Sequence, residues 1–396
     1  MERGAGREAL KPGMILVLTG VMFLNLLGRT VFSPFLLVIE EEFALSHRAS
    51  TQFFFLISLG YGIGMLASGY LSRKITYRGT ICTAMLIGGI CLVFIGLSRS
   101  LYQMRLALLF LGGGFGLYLP SGLAAVRETT SERNLGKAFS IHEIGPNLTL
   151  VLAPLYAQVF ISRGSWRAGL LVLGILCILY APFVFLSMRG FRSSGEGYTL
   201  KNLSSILLSG RFWIMALFFS LAIGASLGAY SVLPAYLVTE RGMDMRTVNT
   251  YIGISRVSGI AGLFFVGLLV GRFGVRRVLF VVMVLSGLIT ALLGLPVQRI
   301  LLFALFLQPI IIVCFFPVAL TQTAGMWPVR SYNIAISLMI PVSLVIGGGV
   351  IPMFMGVLGD AGRFALGFES MGGIILACAG LVFLLKSNRT EGGPSV

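Results

Sequence analysis

The sequence predicts an all-α polytopic membrane protein, with twelve transmembrane helices in two pseudo-symmetric six-helix bundles. Three observations predict this class: long apolar runs recur along the whole chain, a pair of motifs repeats at a fixed offset, and basic residues concentrate in alternate loops. Of the 396 residues, 57% are hydrophobic and 11% are charged. This composition suits a protein surrounded by lipid, because a soluble protein needs more polar side chains at its surface. Transmembrane barrels have short alternating segments instead of continuous apolar runs, so the spans are expected to be helices.

Each apolar run is long enough to cross about 30 Å of hydrocarbon as a helix. The first six predicted spans are 14–39, 50–71, 80–97, 104–126, 136–161 and 168–188. The next six are 212–239, 248–270, 278–296, 301–325, 333–357 and 368–385. A polar segment with several Gly and Ser residues separates the two sets and is typical of a linker. We therefore expect an N-terminal bundle over 1–188, a cytoplasmic linker over 189–211 and a C-terminal bundle over 212–396.

The net charge of +16 is explained by membrane topology. If the N-terminus is cytoplasmic, about two-thirds of the Lys and Arg residues fall in cytoplasmic segments, as the positive-inside rule requires. We expect a protein of the prokaryotic cytoplasmic (inner) membrane with both termini in the cytoplasm, and no nucleic-acid partner. The five cysteines are scattered within predicted spans and lack metal-ligand spacing. We therefore expect neither a metal nor a cofactor. We also expect the protein to be a monomer in the lipid bilayer.

Two segments of the first half of the chain recur in the second half, at nearly the same separation in sequence. GRTVFSPFLLVIE at 28–40 aligns with GAYSVLPAYLVTE at 228–240, and GYLSRKITYRGT at 69–80 aligns with GLLVGRFGVRRV at 267–278. The second pair resembles G-x-L-x-D-R-x-G-R-R, the signature of loops 2–3 and 8–9 in the major facilitator superfamily, although its acidic position is Arg73 in one copy and Gly271 in the other. The resemblance implies a carrier that works by alternating access, with helices 1, 4, 7 and 10 lining the cavity. It also implies conformational-gate loops at Gly69, Arg73, Arg78, Gly267, Arg272 and Arg276.

Two arginines fall inside predicted spans, one in each half. Arg29 lies in the first span with Asn25 one turn before it, and Arg256 lies in the eighth. A charged side chain at the bilayer centre costs about 2.5–3.5 kcal/mol on insertion scales, so each needs a reason. A guanidinium binds a carboxylate or phosphate through two parallel hydrogen bonds. The sequence therefore predicts that Arg29 and Arg256 clamp a small anion from opposite halves.

The predicted fifth span carries the only acidic residue placed well inside a span. Glu143 lies beside His142, with Asn147 one turn further on the same face. A partly desolvated carboxylate there could bind a transported proton, with His142 tuning it. The alternative is that Glu143 only neutralises Arg29 as a structural ion pair.

Other polar residues on predicted spans could hydrogen-bond a ligand or could join helices. They are Tyr118, Ser121, Ser226, Tyr230, Gln308, Asn333 and Ser337. Of these, Tyr118, Tyr230, Gln308 and Asn333 complete the predicted substrate site. The glycine runs Gly112–Gly114 and Gly347–Gly349 are predicted to allow close helix packing or bending.

These observations favour a secondary active transporter of a small organic or inorganic anion, coupled to protons or working by exchange. Proton-driven efflux of drugs or lipid-like compounds is the alternative transporter. A non-transporting receptor of the same architecture is the alternative from another class. An enzyme is not expected, because HEIGP resembles a zinc-protease helix but has Pro146 where the second His would stand.

Overall fold

The computed structural model describes residues 12–131, 134–191, 193–194 and 206–385, and in these the regular structure is helical throughout. Ten of the described helices are long and apolar enough to cross a membrane. One of them, His47–Leu97, comprises two spans joined at Thr76, whose φ of 67° is not helical. A further helix of 29 residues, Met245–Phe273, brings the described spans to twelve. The predicted all-α membrane fold is confirmed.

Two of the first six spans are interrupted, α1 at Val31 and α4 at Leu117. α1 consists of Pro12–Thr30 and Phe32–Phe43, and α2 and α3 are residues 47–75 and 77–97. α4 consists of Leu101–Gly116 and Tyr118–Glu128. α5 is Leu135–Ile161 and α6 is Trp166–Ser187. The predicted ends agree with these bounds to within about four residues.

The other six spans include two π-helical turns. α7 consists of Gly210–Ile223, the π turn Gly224–Gly228 and Ala229–Thr239, and α8 is Met245–Phe273. α9 is Val275–Leu292, α10 is Gln298–Ala324, and α11 consists of Val329–Val345, the π turn Ile346–Val350 and Ile351–Asp360. α12 is Phe364–Ala379, followed by the 3₁₀ turn Gly380–Leu384.

The chain forms two compact units. The first contains residues 1–44 and 56–198, and the second contains residues 45–55 and 199–396. The start of α2 belongs to the second unit, where the Arg48 amide donates to Asp360 Oδ1 at 3.2 Å. The division between the units falls inside the predicted linker. Residues 192 and 195–205 of that linker lie outside the described residues, and the three-part division stays a prediction.

Glycines bring α2 and α4 into backbone contact in the first unit. A Cβ added at Gly60 or Gly64 would collide with the backbone of α4, and one added at Gly112 or Gly116 would collide with the backbone of α2. The four-residue spacing on both helices is the small-xxx-small pattern of close helix pairs in membranes. This contact holds Tyr61, whose carbonyl faces Gly116, against α4.

The two π turns of the second unit pack on one another in a similar way. A Cβ at Gly228 would collide with the Gly347 carbonyl, and one at Gly347 would collide with the Ser220 carbonyl. π turns add a residue to a helical turn and free a backbone carbonyl from its usual partner. Both glycine runs therefore serve close packing, as the sequence predicted.

Candidate functional site

Arg29 lies on an aromatic ring in the first unit. Its Cζ is 3.9 Å from the centroid of Tyr61, a residue of α2 with 1% of its surface exposed. Arg29 itself is half-buried, and its Nε has no hydrogen-bond partner. Among the described residues no carboxylate lies within ion-pair distance of this guanidinium. The ring face stabilises the charge, while the Nε–H group has no acceptor among the described residues.

The predicted alternative, an ion pair between Arg29 and Glu143, is not formed within the described residues. The carboxylate of Glu143 lies beside His142 instead, with 3.8 Å between Oε1 and Nδ1. Arg29 is therefore left without a counter-ion in its own unit, as far as the structure describes that unit.

Asn25 joins two helices. Its side chain is fully buried, and its Nδ2 donates to the Phe115 carbonyl at 2.8 Å. Phe115 comes two residues before the break of α4 at Leu117, where backbone carbonyls lack regular helical partners. Asn25 therefore joins α1 to α4. A substrate-binding role for Asn25 stays a prediction.

A buried chain of hydrogen bonds connects α1, α4 and α5. The Tyr118 hydroxyl donates to the Leu18 carbonyl at 2.7 Å and lies 2.8 Å from His142 Nε2. Tyr118 and His142 are both 0% exposed, whereas 58% of the Glu143 side chain is exposed. Within the protein's own packing the Glu143 side chain is much more exposed than His142, and its predicted role in proton coupling stays a prediction. The residue that the protein buries is His142, one position earlier and therefore about 100° around the helix.

Contacts between α1 and α5 hold His142 in this place. Thr19 Oγ1 donates to the Ile141 carbonyl at 3.2 Å, and Thr149 Oγ1 donates to the Phe23 carbonyl at 3.0 Å. A Cβ added at Gly145 would lie only 2.7 Å from the Thr19 carbonyl, so glycine permits the close approach. Asn147 does not contact the Glu143 carboxylate, since its Nδ2 donates to the Glu143 backbone carbonyl at 2.8 Å.

The second unit repeats the arginine–tyrosine stack with the helices exchanged. Arg256 of α8 has its Cζ 5.1 Å from the ring centroid of Tyr230 in α7. Arg256 is 7% exposed and its Nε has no hydrogen-bond partner. No described carboxylate lies within ion-pair distance of it. In the first unit the arginine stands on the first helix and the tyrosine on the second; here the order is reversed.

Gln308 also makes an interhelical contact. Its Nε2 donates to the Ala225 carbonyl in the π turn of α7, and the side chain is 4% exposed. The bond is the counterpart of Asn25 to Phe115, because each joins an amide side chain to a carbonyl at a helix irregularity. The side chain of Asn333, in the first turns of α11, lies outside the described residues.

The two signature loops contact the last helix of their own units. Arg78 Cζ lies 3.5 Å from the ring centroid of Phe185 in α6, and Arg276 Nη2 donates to the Leu385 carbonyl after α12 at 2.6 Å. The offset between the arginines is that of the sequence repeat, so the repeat predicts structurally equivalent residues. Arg73 and Arg272 are exposed, and Gly69 and Gly267 lie in the last turns of α2 and α8.

Comparison with known families decides the assignment. The family profile described as Major Facilitator Superfamily matches residues 18–264, more than half of the chain. This chain belongs to the major facilitator superfamily. The predicted resemblance is confirmed, the protein is an integral membrane protein, and membership of this family points to a transporter rather than an enzyme.

The curated relatives of this chain are distant. It is 22% identical over 269 residues to the probable sulfoacetate transporter SauU of Cupriavidus necator, a match covering 63% of this chain and 62% of that protein, less than two-thirds of the relative's length. It is 27% identical over 156 residues to the chloramphenicol resistance protein CraA of Acinetobacter baumannii, covering 39% of this chain and 37% of that protein.

A solved structure agrees over nearly the whole chain. The bacterial homologue of the human lysosomal transporter Spinster, inward-facing and occupied, has a TM-score of 0.74 at 18% identity. The comparison covers 94% of this chain and 96% of that chain. At this identity the likeness shows the fold alone.

The sequence did not reveal the residues that complete these contacts. Tyr61 has no polar neighbour in GYGIG that would single it out, and the carbonyls of Leu18 and Phe115 have no sequence signal. The glycines flanking Tyr61 are the available hint, since they place it where α2 meets another backbone.

Proposed function

We propose that this transporter carries a small anion by alternating access and that Arg29 and Arg256 bind it. The observation that carries the proposal is the pair of guanidinium groups, each stacked on a tyrosine and without a described carboxylate partner. Alternating access, an inner-membrane location with cytoplasmic termini, and a monomeric state belong to the same proposal.

The energetics of the arginines favour an anionic substrate. An arginine at the centre of a span costs about 2.5–3.5 kcal/mol on insertion scales, whereas a cation–π contact recovers only about 0.5–2 kcal/mol. The part of the insertion cost that the cation–π contact does not recover remains in the substrate-free carrier, and a bound anion can offset it. A guanidinium can also form two parallel hydrogen bonds to one carboxylate, sulfonate or phosphate.

The relative SauU supports the anionic class, because the sulfoacetate in its name has a carboxylate and a sulfonate. The relative CraA supports the alternative of drug efflux. Chloramphenicol is uncharged, however, and an uncharged substrate would leave both arginines uncompensated. The arginines therefore favour the anion.

Proton coupling is proposed on the basis of Glu143 and its buried neighbour His142. A carboxylate and an imidazole 3.8 Å apart provide two titratable groups within one span. Imidazole changes its charge between about pH 5 and 8, the range in which cells maintain proton gradients.

The test is a thermal-shift screen of the purified protein against carboxylates, sulfonates, organophosphates, inorganic anions and cationic or neutral drugs. A ligand at about 100 times its Kd stabilises the folded protein by about 2.7 kcal/mol through mass action. We expect anions alone to stabilise the protein, and the stabilising anion to be transported into proteoliposomes. Stabilisation by drugs and by no anion would contradict the proposal and favour efflux.

A further inference from the structure

The hydrogen bonds around Tyr118 determine where His142 carries its proton. A phenol has one O–H to donate, and a backbone carbonyl can only accept. The Tyr118 hydroxyl lies 2.7 Å from the Leu18 carbonyl, so its proton is used there. The second contact of the phenol oxygen, 2.8 Å from His142 Nε2, therefore requires that Nε2 donates.

This direction leaves the other ring nitrogen without a proton. In a neutral imidazole one nitrogen is a donor and the other is an acceptor, so Nδ1 of His142 is the acceptor. Nδ1 is buried and has no hydrogen-bond partner among the described residues. A buried acceptor that receives no hydrogen bond is unfavourable, which makes it a position where a proton gains a binding site.

We propose that His142 Nδ1 is the atom at which the transporter binds its coupled proton and that Glu143 is the exposed relay to it. This inference rests on the proposed proton coupling and reverses the roles that the sequence favoured. A protonated Glu143 carboxyl, 58% exposed, loses its proton, and a new N–H bond forms at Nδ1. The products are an imidazolium and a carboxylate, whose opposite charges stabilise one another across 3.8 Å. No other reactant is needed.

The surroundings of His142 allow this role. Tyr118 on α4 and Glu143 on α5 contact it directly, and Tyr61 on α2 and Tyr180 on α6 are the other titratable groups that act on the Tyr118 hydroxyl. The cation of α1, Arg29, is about 16 Å along the helix from Leu18. The described charged group in contact with the imidazole is the carboxylate of Glu143.

Nitrogen NMR of the full-length protein in lipid nanodiscs tests the inference directly. The chain has two histidines, so a His47→Gln variant labelled with ¹⁵N-histidine reports on His142 alone. We expect Nε2–H with a bare Nδ1 at high pH, and a new Nδ1–H signal as the pH falls from about 8 to 5. A neutral state with Nδ1–H, or an imidazole that stays neutral over this range, would overturn the inference.

Variants separate the roles of the two residues. Glu143→Gln should lose the Nδ1–H signal at a pH where the parent shows it, and Tyr118→Phe should mix the two tautomers by removing the acceptor of Nε2. In proteoliposomes His142→Gln should abolish accumulation driven by a pH gradient while counterflow exchange persists, and Glu143→Gln should slow that accumulation. Accumulation unaffected by His142→Gln would refute the assignment. The NMR result needs no substrate, so failure of the anion proposal and failure of this inference are distinguishable.

Discussion

Replacement of Arg256 by methionine tests whether this guanidinium lacks a structural partner. Arg256 is 7% exposed, its Nε has no partner, and its described stabilising contact is the Tyr230 ring at 5.1 Å. Removing the charge recovers about 2.5–3.5 kcal/mol of insertion cost and loses about 0.5–2 kcal/mol of cation–π attraction. Methionine has a similar length and adapts to irregular space. We therefore expect the substrate-free protein to gain about 0.5–3 kcal/mol of stability.

The assay is unfolding of the purified protein in detergent, followed by circular dichroism without added anions. The matched control is Arg246→Met, which removes the same charge from the exposed first turn of the same helix and should change stability by less than about 0.5 kcal/mol. A loss of more than about 1 kcal/mol in Arg256→Met would refute the reasoning. It would show that the guanidinium is part of a structural network, since breaking a buried pair is strongly destabilising.

Three further predictions concern helix packing and the signature loops. Gly64→Ala should destabilise the protein by about 1–3 kcal/mol because the methyl group meets the Gly113 carbonyl; Gly136→Ala, in open space on α5, should be neutral or stabilising in the same melt. Arg276→Gln should cost about 1 kcal/mol through the lost bond to the Leu385 carbonyl; an unchanged melt would show that this bond contributes nothing. Gly145→Ala should separate α5 from α1 at Thr19 and reduce gradient-driven accumulation more than anion binding; equal loss of both would point to general unfolding.

The positions of the spans could be predicted because the thickness of the bilayer fixes the length of an apolar run. Breaks within spans were harder to predict. The breaks at Val31 and Leu117 each lie three residues before a proline, Pro34 and Pro120, whose ring conflicts with the helical carbonyl four residues earlier. Pro146 and Pro154 leave α5 continuous, so which proline interrupts a span depends on how neighbouring helices pack and not on the local sequence alone.

The charged residues could be found from the sequence, but their partners could not. Arg29 and Arg256 were identifiable because charge is rare in a span, whereas Tyr61 became visible through the packing of α2 against α4. His142 and Glu143 are adjacent, and which of them is buried depends on the face that α5 turns toward α1. That face is set by the Gly145 contact, a tertiary feature.

The central claim, that the two arginines bind an anion, is tested most directly by calorimetric titration of the anion found in the screen. Arg29→Gln and Arg256→Gln should each weaken binding by about 10- to 100-fold, because each removes charge-assisted hydrogen bonds of about 1.5–3 kcal/mol. The exposed variant Arg246→Gln should bind like the parent. Parent-like affinity in both Arg29→Gln and Arg256→Gln would contradict the claim.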